Sequence, residues 1–110
     1  MRQSHTAVVE RNVEWTGHFS TEPYETSWAT EAIFFVRQLD ADRFSTPIPL
    51  CVQISPDGIH WCDEGTEFPL TPNAELSWAR VGHFGGWLRL RGELPTDQTV
   101  RVIVYLQLKE

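Results

Sequence analysis

Three carboxylates lie close to a tryptophan in the middle of the chain, the arrangement most suggestive of chemistry. Asp63, Glu64 and Glu67 follow Trp61. Glycoside hydrolysis uses two carboxyl groups on opposite sides of the scissile bond, often beside an aromatic ring on which a sugar stacks. Nothing in the spacing places two of these groups across a cleft, and acidic residues on loops are usually solvated. We therefore expect no catalytic residue and no enzymatic activity.

Histidines and cysteines offer little for metal binding. His60 and Cys62 could share one face of a strand, but a structural zinc site needs four ligands, and the other histidines are dispersed. Cys51 and Cys62 flank a predicted hairpin and could approach each other. Two cysteines do not form a disulfide framework, so two small, partly buried thiols are the favoured interpretation.

Motifs for nucleophilic catalysis and cofactor binding are absent from the sequence. The chain has no Gly-x-Ser-x-Gly, no Walker-type loop and no Gly-x-Gly-x-x-Gly. Gly85 and Gly86 fit a tight turn or a bulge better than a phosphate-binding loop. We expect neither a cofactor nor a metal ion.

Charge and hydropathy restrict the partners. The net charge is −6 and Lys109 is the only lysine, whereas proteins that bind nucleic acids usually show a basic stripe. Arg89, Arg91 and Arg101 could cluster, but three arginines on an acidic domain are weak support for phosphate binding. No apolar run approaches the ~20 residues that span a bilayer, and no signal peptide is evident. Neither a nucleic-acid partner nor a membrane partner is expected.

Apolar residues recur with period two along most of the chain, as in half-buried strands. The clearest case is the stretch 99–108, and no stretch of a dozen residues sustains helical spacing. We expect an all-β protein, an antiparallel β-sandwich or jelly-roll-like fold of seven or eight short strands, forming a single domain over 1–110. The predicted strands are 6–11, 12–19, 29–38, 48–55, 59–63, 76–82, 86–93 and 99–108.

The sequence also predicts the turns and loops that connect the strands. Ser55-Pro56-Asp57-Gly58 is typical of a tight hairpin turn, and the segments 20–27 and 64–75 are predicted as loops. Alternation predicts one common core, made of residues from four of the strands: Val52, Ile54, Trp61, Leu88, Leu90, Val102 and Val104.

The outward positions carry more apolar residues than a sandwich in water needs. They include Ile33, Phe35, Trp87, Ile103 and Tyr105, with Arg89, Arg91 and Arg101 at alternate positions among them. Scattered surface apolar residues are common. A patch that is aromatic and interleaved with arginine is, however, typical of protein interfaces, including those of homo-oligomers. Carbohydrate binding is the alternative, because the exposed rings of Trp28, Trp78 or Trp87 could stack on sugars.

From Thr46 onward the chain resembles small structural proteins of tailed bacteriophages and prophages. The resemblance rests on the segments 46–50, 52–61 (ending in Ser-Pro-Asp-Gly-Ile-His-Trp) and 87–89, with Gly92 and the strand 100–108. Residues 1–45 match only loosely, through the alternating strand at 32–38, and Phe44-Ser45 replaces an expected Gly-led turn. The resemblance implies a head or tail accessory or capsid-decorating protein, located in the virion, that binds capsid or tail subunits and has no catalytic residue.

Overall fold

The computed structural model describes residues 3–40 and 44–110, in which all regular structure is β. The nine strands are β1 (Ser4–Thr16), β2 (His18–Ser20), β3 (Tyr24–Glu25), β4 (Glu31–Gln38), β5 (Ile48–Ser55), β6 (Cys62–Leu70), β7 (Leu76–Gly82), β8 (Trp87–Glu93) and β9 (Thr99–Lys109). The predicted domain 1–110 includes residues 1–2 and 41–43, which lie outside this description. No helix in the described residues is long and apolar enough to cross a membrane.

The strands form two antiparallel sheets. The four-stranded sheet has the order β1-β9-β4-β7, and the five-stranded sheet has the order β2-β8-β5-β6, with β3 also paired to β8. Because side chains alternate across a strand, each sheet turns one apolar face toward the other sheet. The predicted all-β antiparallel sandwich is confirmed.

Strand β9 shows how the sequence produces this core. Its even-numbered residues from Val100 to Leu108 are fully buried, whereas the odd-numbered residues between them are half-buried on the opposite face. They pack with buried residues of the facing sheet, among them Val52, Leu88 and Leu90. Burying apolar surface contributes about 25 cal/mol per Å², so the buried face of β9 stabilises the sandwich.

Two predicted core positions differ in the structure. Ile54 is half-buried and packs against the core, but Trp61 lies on the outer face of the five-stranded sheet, under the Arg89 guanidinium. The placement of Trp61 in the core was wrong because the return strand begins only at Cys62, which pairs with Ile54. Trp61 therefore precedes the strand whose alternation was used to orient it.

Several strand boundaries also differ. The predicted loop 64–75 contains most of β6, since the strand continues past a register shift at Gly65 and pairs again with β5 from Glu67 to Leu70. The predicted strands 6–11 and 12–19 are instead β1 followed by the short β2, and β3 lies within the predicted loop 20–27.

The predicted hairpin turn is present and is held by side chains. The Ser55 hydroxyl accepts hydrogen bonds from the backbone N–H groups of Asp57 (3.2 Å) and Gly58 (2.8 Å). Asp57 Oδ1 accepts from the N–H groups of Ile59 and His60, each at 2.9 Å. The His60 N–H and ring, together with the Ile59 N–H, hold the pKa of the Asp57 carboxyl well below its usual range.

Candidate contact surface

The pairing of β4 with β9 brings together the apolar residues of the outer face of the four-stranded sheet. Phe35 lies opposite Tyr105, and on the other side of β4 it lies opposite Trp78 of β7. Tyr105 in turn lies opposite Val8 of β1. Residues directly opposite in an antiparallel pair project from the same face. Val8, Tyr105, Phe35 and Trp78 thus form one apolar row across all four strands.

The row is accessible to solvent at both ends. Val8 is 42% exposed and Trp78 is 49% exposed, while Phe35 and Tyr105 between them are half-buried by their neighbours. Further apolar side chains extend the row along the strands. We call the whole set the outer patch, defined as Val8, Ile33, Phe35, Leu76, Trp78, Ile103 and Tyr105.

Arginines border the outer patch, as is common at protein interfaces. The Arg80 guanidinium lies 4.9 Å from the centre of the Trp78 ring, and Arg37 lies opposite both Leu76 and Ile103. Arg101 is on the same face but engages its own chain, through Glu14 at 3.3 Å and Asn12. An apolar face edged by cations can bind another macromolecule but supplies no nucleophile or base.

The structure divides the predicted patch between two sheets. Ile33, Phe35, Ile103 and Tyr105 are brought together on the four-stranded sheet, and Arg101 shares their face. The other three residues, Trp87, Arg89 and Arg91, belong to β8 in the five-stranded sheet and are not part of the same surface.

The sequence-based patch omitted Val8, Leu76 and Trp78. The sequence did contain the information needed for β7. The small or apolar residues Ser77, Ala79 and Val81 alternate as inward residues, which leaves Leu76 and Trp78 outward. Val8 gave no such signal, since β1 pairs with β9 through two register shifts.

Trp87 has a structural role at the hairpin. A Cβ added to Gly58 would lie 3.2 Å from the Trp87 ring, so the ring packs directly on the turn backbone. Gly58 also has a φ of 79°, in the left-handed region that favours glycine. The half-buried Trp87 therefore covers the turn.

Arg89 and Arg91 are held in a network on the outer face of the five-stranded sheet. Arg89 lies 4.3 Å above the Trp61 ring and donates from Nε to Gln53 at 2.7 Å. Arg91 donates to both oxygens of Asp63, at 3.1 and 2.9 Å. The hydrogen bonds from Arg91 and Gln53 lower the pKa of Asp63 to about 2, and the same contact with Asp63 raises the pKa of Arg91. These charged groups are therefore paired with partners of their own sheet.

The carboxylates and thiols near Trp61 do not assemble into a reactive group. Glu64 accepts from the Thr66 N–H, and Glu67 accepts from the Cys51 thiol at 3.5 Å. Burial, and then that hydrogen bond, raise the pKa of Cys51, so its thiolate is disfavoured. Cys51 and Cys62 are both free thiols. Among residues 3–40 and 44–110, no group of three His, Cys, Asp or Glu residues could hold a metal ion.

The comparisons with known proteins identify similar folds. No family model and no curated protein sequence matches the chain. The solved structure of the SPBc2 prophage-derived protein YomS has a TM-score of 0.65 at 10% identity, covering 100% of this chain and 96% of YomS. The PBSX exported protein XepA has a TM-score of 0.68 at 10% identity, covering 94% of this chain but 36% of XepA. The chain therefore spans about a third of the length of XepA.

A binding module has a similar fold at lower similarity. The CBM32 module of a Clostridium perfringens protein, solved in complex with GalNAc-beta-1,3-galactose, has a TM-score of 0.53 at 10% identity over 94% of both chains. At these identities the similarities show the fold alone. The chain adopts a β-sandwich that is also found in phage and prophage proteins and in a carbohydrate-binding module.

Proposed function

We propose that the chain is a non-enzymatic structural protein of a tailed-phage particle, a capsid-decorating or head or tail accessory component, and that its outer patch binds neighbouring protein subunits. The observation that carries this proposal is the apolar row across all four strands of one sheet, with Val8 and Trp78 exposed at its ends. Monomeric proteins rarely keep a contiguous apolar patch of this kind without a use.

Two further observations support the proposal. Two of the similar solved folds, YomS and XepA, are proteins of prophage origin. The carboxylates that could have served hydrolysis are engaged in hydrogen bonds within their own sheet: Asp63 with Arg91 and Gln53, and Glu64 with Thr66. These observations support the proposed role in adhesion within the virion.

The experiment compares two exposed aliphatic residues, Val8 in the outer patch and Ile59 in the turn between β5 and β6 of the other sheet. Val8→Lys inserts a cation into the outer patch, whereas Ile59→Lys makes the same change at a 74% exposed turn position. Tagged variants are produced in cells that assemble the particle, and incorporation is measured after gradient purification. Val8→Lys should reduce incorporation by about tenfold or more, a typical effect for a residue that anchors an interface.

The two variants separate the outcomes. Both should melt close to the wild-type temperature, since both side chains face solvent, and Ile59→Lys should be incorporated normally. Normal incorporation of a folded Val8→Lys protein would show that the outer patch is not the contact surface.

Carbohydrate binding is the second candidate function. It is favoured by the similarity to the CBM32 module solved with a disaccharide and by the exposed rings of Trp28 (36%) and Trp78. Stacking of sugars on such rings would not require a catalytic residue. A glycan array probed with the purified protein separates the candidates, because a protein-contact role predicts no retained glycan.

A further inference from the structure

The sheet edges differ in how well they are protected against pairing with another strand. An edge strand presents unpaired backbone N–H and C=O groups, which proteins usually block with proline, bulges or an interruption. In this sandwich the edges are β1 and β7 of one sheet, and β6 and the β2–β3 side of the other.

Three of these edges carry such features. β6 contains Pro69 and Gly65, whose φ is 113°, and its pairing with β5 shifts register. β1 pairs with β9 through two register shifts and contains Asn12 at a φ of 58°. The third edge is interrupted between Ser20 and Tyr24, where Pro23 lies.

Strand β7 lacks these features along its whole described length, Leu76–Gly82. It pairs with β4 at seven consecutive positions without a shift, and it contains neither proline nor a residue with positive φ. Its side chains alternate regularly, with Ser77, Ala79 and Val81 buried and Leu76 and Trp78 about half exposed. This edge is thus open and straight enough to accept another strand.

We propose that two copies of the chain pair through β7, antiparallel and about a two-fold axis at Ala79, so that the two four-stranded sheets form one eight-stranded sheet. This register places core-facing residues of one copy opposite core-facing residues of the other. A one-residue slip would instead place core-facing residues opposite outward-facing ones. Among the registers that preserve the faces, this one pairs all seven residues of β7.

The outer side chains of β7 are self-complementary in this register. Trp78 lies opposite the partner's Arg80, and the guanidinium of Arg80 already contacts the Trp78 ring of its own chain at 4.9 Å. The two-fold axis repeats this pair, which makes a cluster of two tryptophans and two arginines. Arginine over tryptophan is a favourable cation–π contact. No outer residue of β7 is acidic, although the chain carries a net charge of −6.

The ends of β7 are complementary as well. Leu76, which is 48% exposed, lies opposite the partner's Gly82 in this register. Among the residues that the structure describes, no heavy atom outside Gly82 and its chain neighbours lies within 4 Å of a Cβ built at Gly82. The outer face there has a depression of about 310 Å³ lined in part by Ile33, Arg80 and Gly82. The leucine of each copy therefore faces open space on the other. Both complementary pairs, Trp78 with Arg80 and Leu76 with Gly82, consist of residues of β7 alone. A two-fold axis can therefore form them between two copies, so a second copy is the favoured partner for this edge.

This pairing does not depend on the proposed particle role. It occupies the β7 end of the outer patch and leaves Val8 and Tyr105, on β1 and β9, accessible to other subunits. A dimer could therefore form whether or not the chain enters a particle, and each proposal has its own experiment.

Light scattering coupled to size exclusion, over a range of protein concentrations, tests the pairing. The mass of the wild type should rise from the 12.7 kDa of one chain toward twice that value. Trp78→Lys places a cation opposite the partner's Arg80 at two symmetric positions, and like charges directly opposite destabilise a strand pair. Dimer affinity should fall by about tenfold or more.

A compensating variant tests the register itself. In Trp78→Lys combined with Arg80→Glu, each introduced lysine faces a glutamate of the partner subunit, so dimerisation should recover. Trp28→Lys, which changes an exposed tryptophan outside β7, should leave the dimer intact. Three results would overturn the proposal: a folded wild type that stays monomeric at all concentrations, a folded double variant that stays monomeric, or equal loss of dimer in Trp28→Lys.

Discussion

The Asp63 carboxylate on β6 accepts hydrogen bonds from side chains on the adjacent strand β5 and on β8, the strand beyond it in the same sheet. Gln53 donates from β5 at 3.0 Å, and Arg91 donates from β8 with its shortest contact at 2.9 Å. Gln53 also accepts from Arg89, whose guanidinium lies over Trp61. A single exposed carboxylate thus fixes two arginines that the sequence had suggested for binding a partner.

This contact predicts a pH-dependent difference in stability. The pKa of Asp63 is about 2 in the folded protein, against an ordinary value of 3.8. Between these pH values the unfolded chain binds a proton at Asp63 and the folded chain does not, so the free energy of unfolding falls as the pH falls. The contribution of Asp63 is complete above about pH 4 and is lost toward about pH 2.

Asp63→Asn should therefore be less stable than the wild type at neutral pH, and the difference should shrink as the pH falls toward 2. Urea unfolding at several pH values measures this difference. Glu75→Gln, at an exposed position before β7, serves as the control for loss of a carboxylate. If the difference in free energy of unfolding between the wild type and Asp63→Asn were the same at every pH, the assignment of the stabilising contact to the ionised Asp63 would be wrong.

At the scale of elements, β9 is one of the two inner strands of the four-stranded sheet. It pairs with β1 on one side and with β4 on the other, and its even-numbered residues are fully buried. Adjacent residues of β9 therefore have opposite environments. Val102 is fully buried in the core, while Ile103 is half-buried on the outer face.

Val102→Asp should unfold the protein, and Ile103→Asp should leave it folded. An unpaired charge in the core costs several kcal/mol, against a net stability of about 5–15 kcal/mol for a domain. Circular dichroism and thermal melting distinguish the two variants. A cooperatively melting Val102→Asp protein would show that the faces of β9 are reversed.

Strands with strong alternation were predictable, whereas edges and sheet membership were not. The even-numbered residues of β9 and the hairpin at Asp57 follow directly from local pattern and turn chemistry. β6 was missed because Gly65 and Pro69 are typical of loops, although an edge strand tolerates both. Trp87 was grouped with Ile103 because alternation assigns a face within a strand but does not say which sheet the strand joins.

On the scale of the whole molecule, the two outer faces differ in character. The outer face of the five-stranded sheet is occupied by the internal network of Arg89, Arg91 and Asp63 and by Trp87 over the turn. The outer face of the four-stranded sheet carries the outer patch. The asymmetry favours one side of the sandwich for binding to neighbouring subunits, with the β7 edge available for a second copy.

Hydroxyl-radical footprinting with mass spectrometry tests most directly whether the outer patch is the contact surface. Oxidation of each residue is compared between the isolated protein and the assembled particle. We expect protection of Val8 and Tyr105, which lie away from the β7 edge and so report on subunit contact separately from dimerisation. Ile59, at the turn of the other sheet, should be oxidised equally in both samples. Unchanged oxidation of Val8 and Tyr105, with protection of Ile59 instead, would contradict the account.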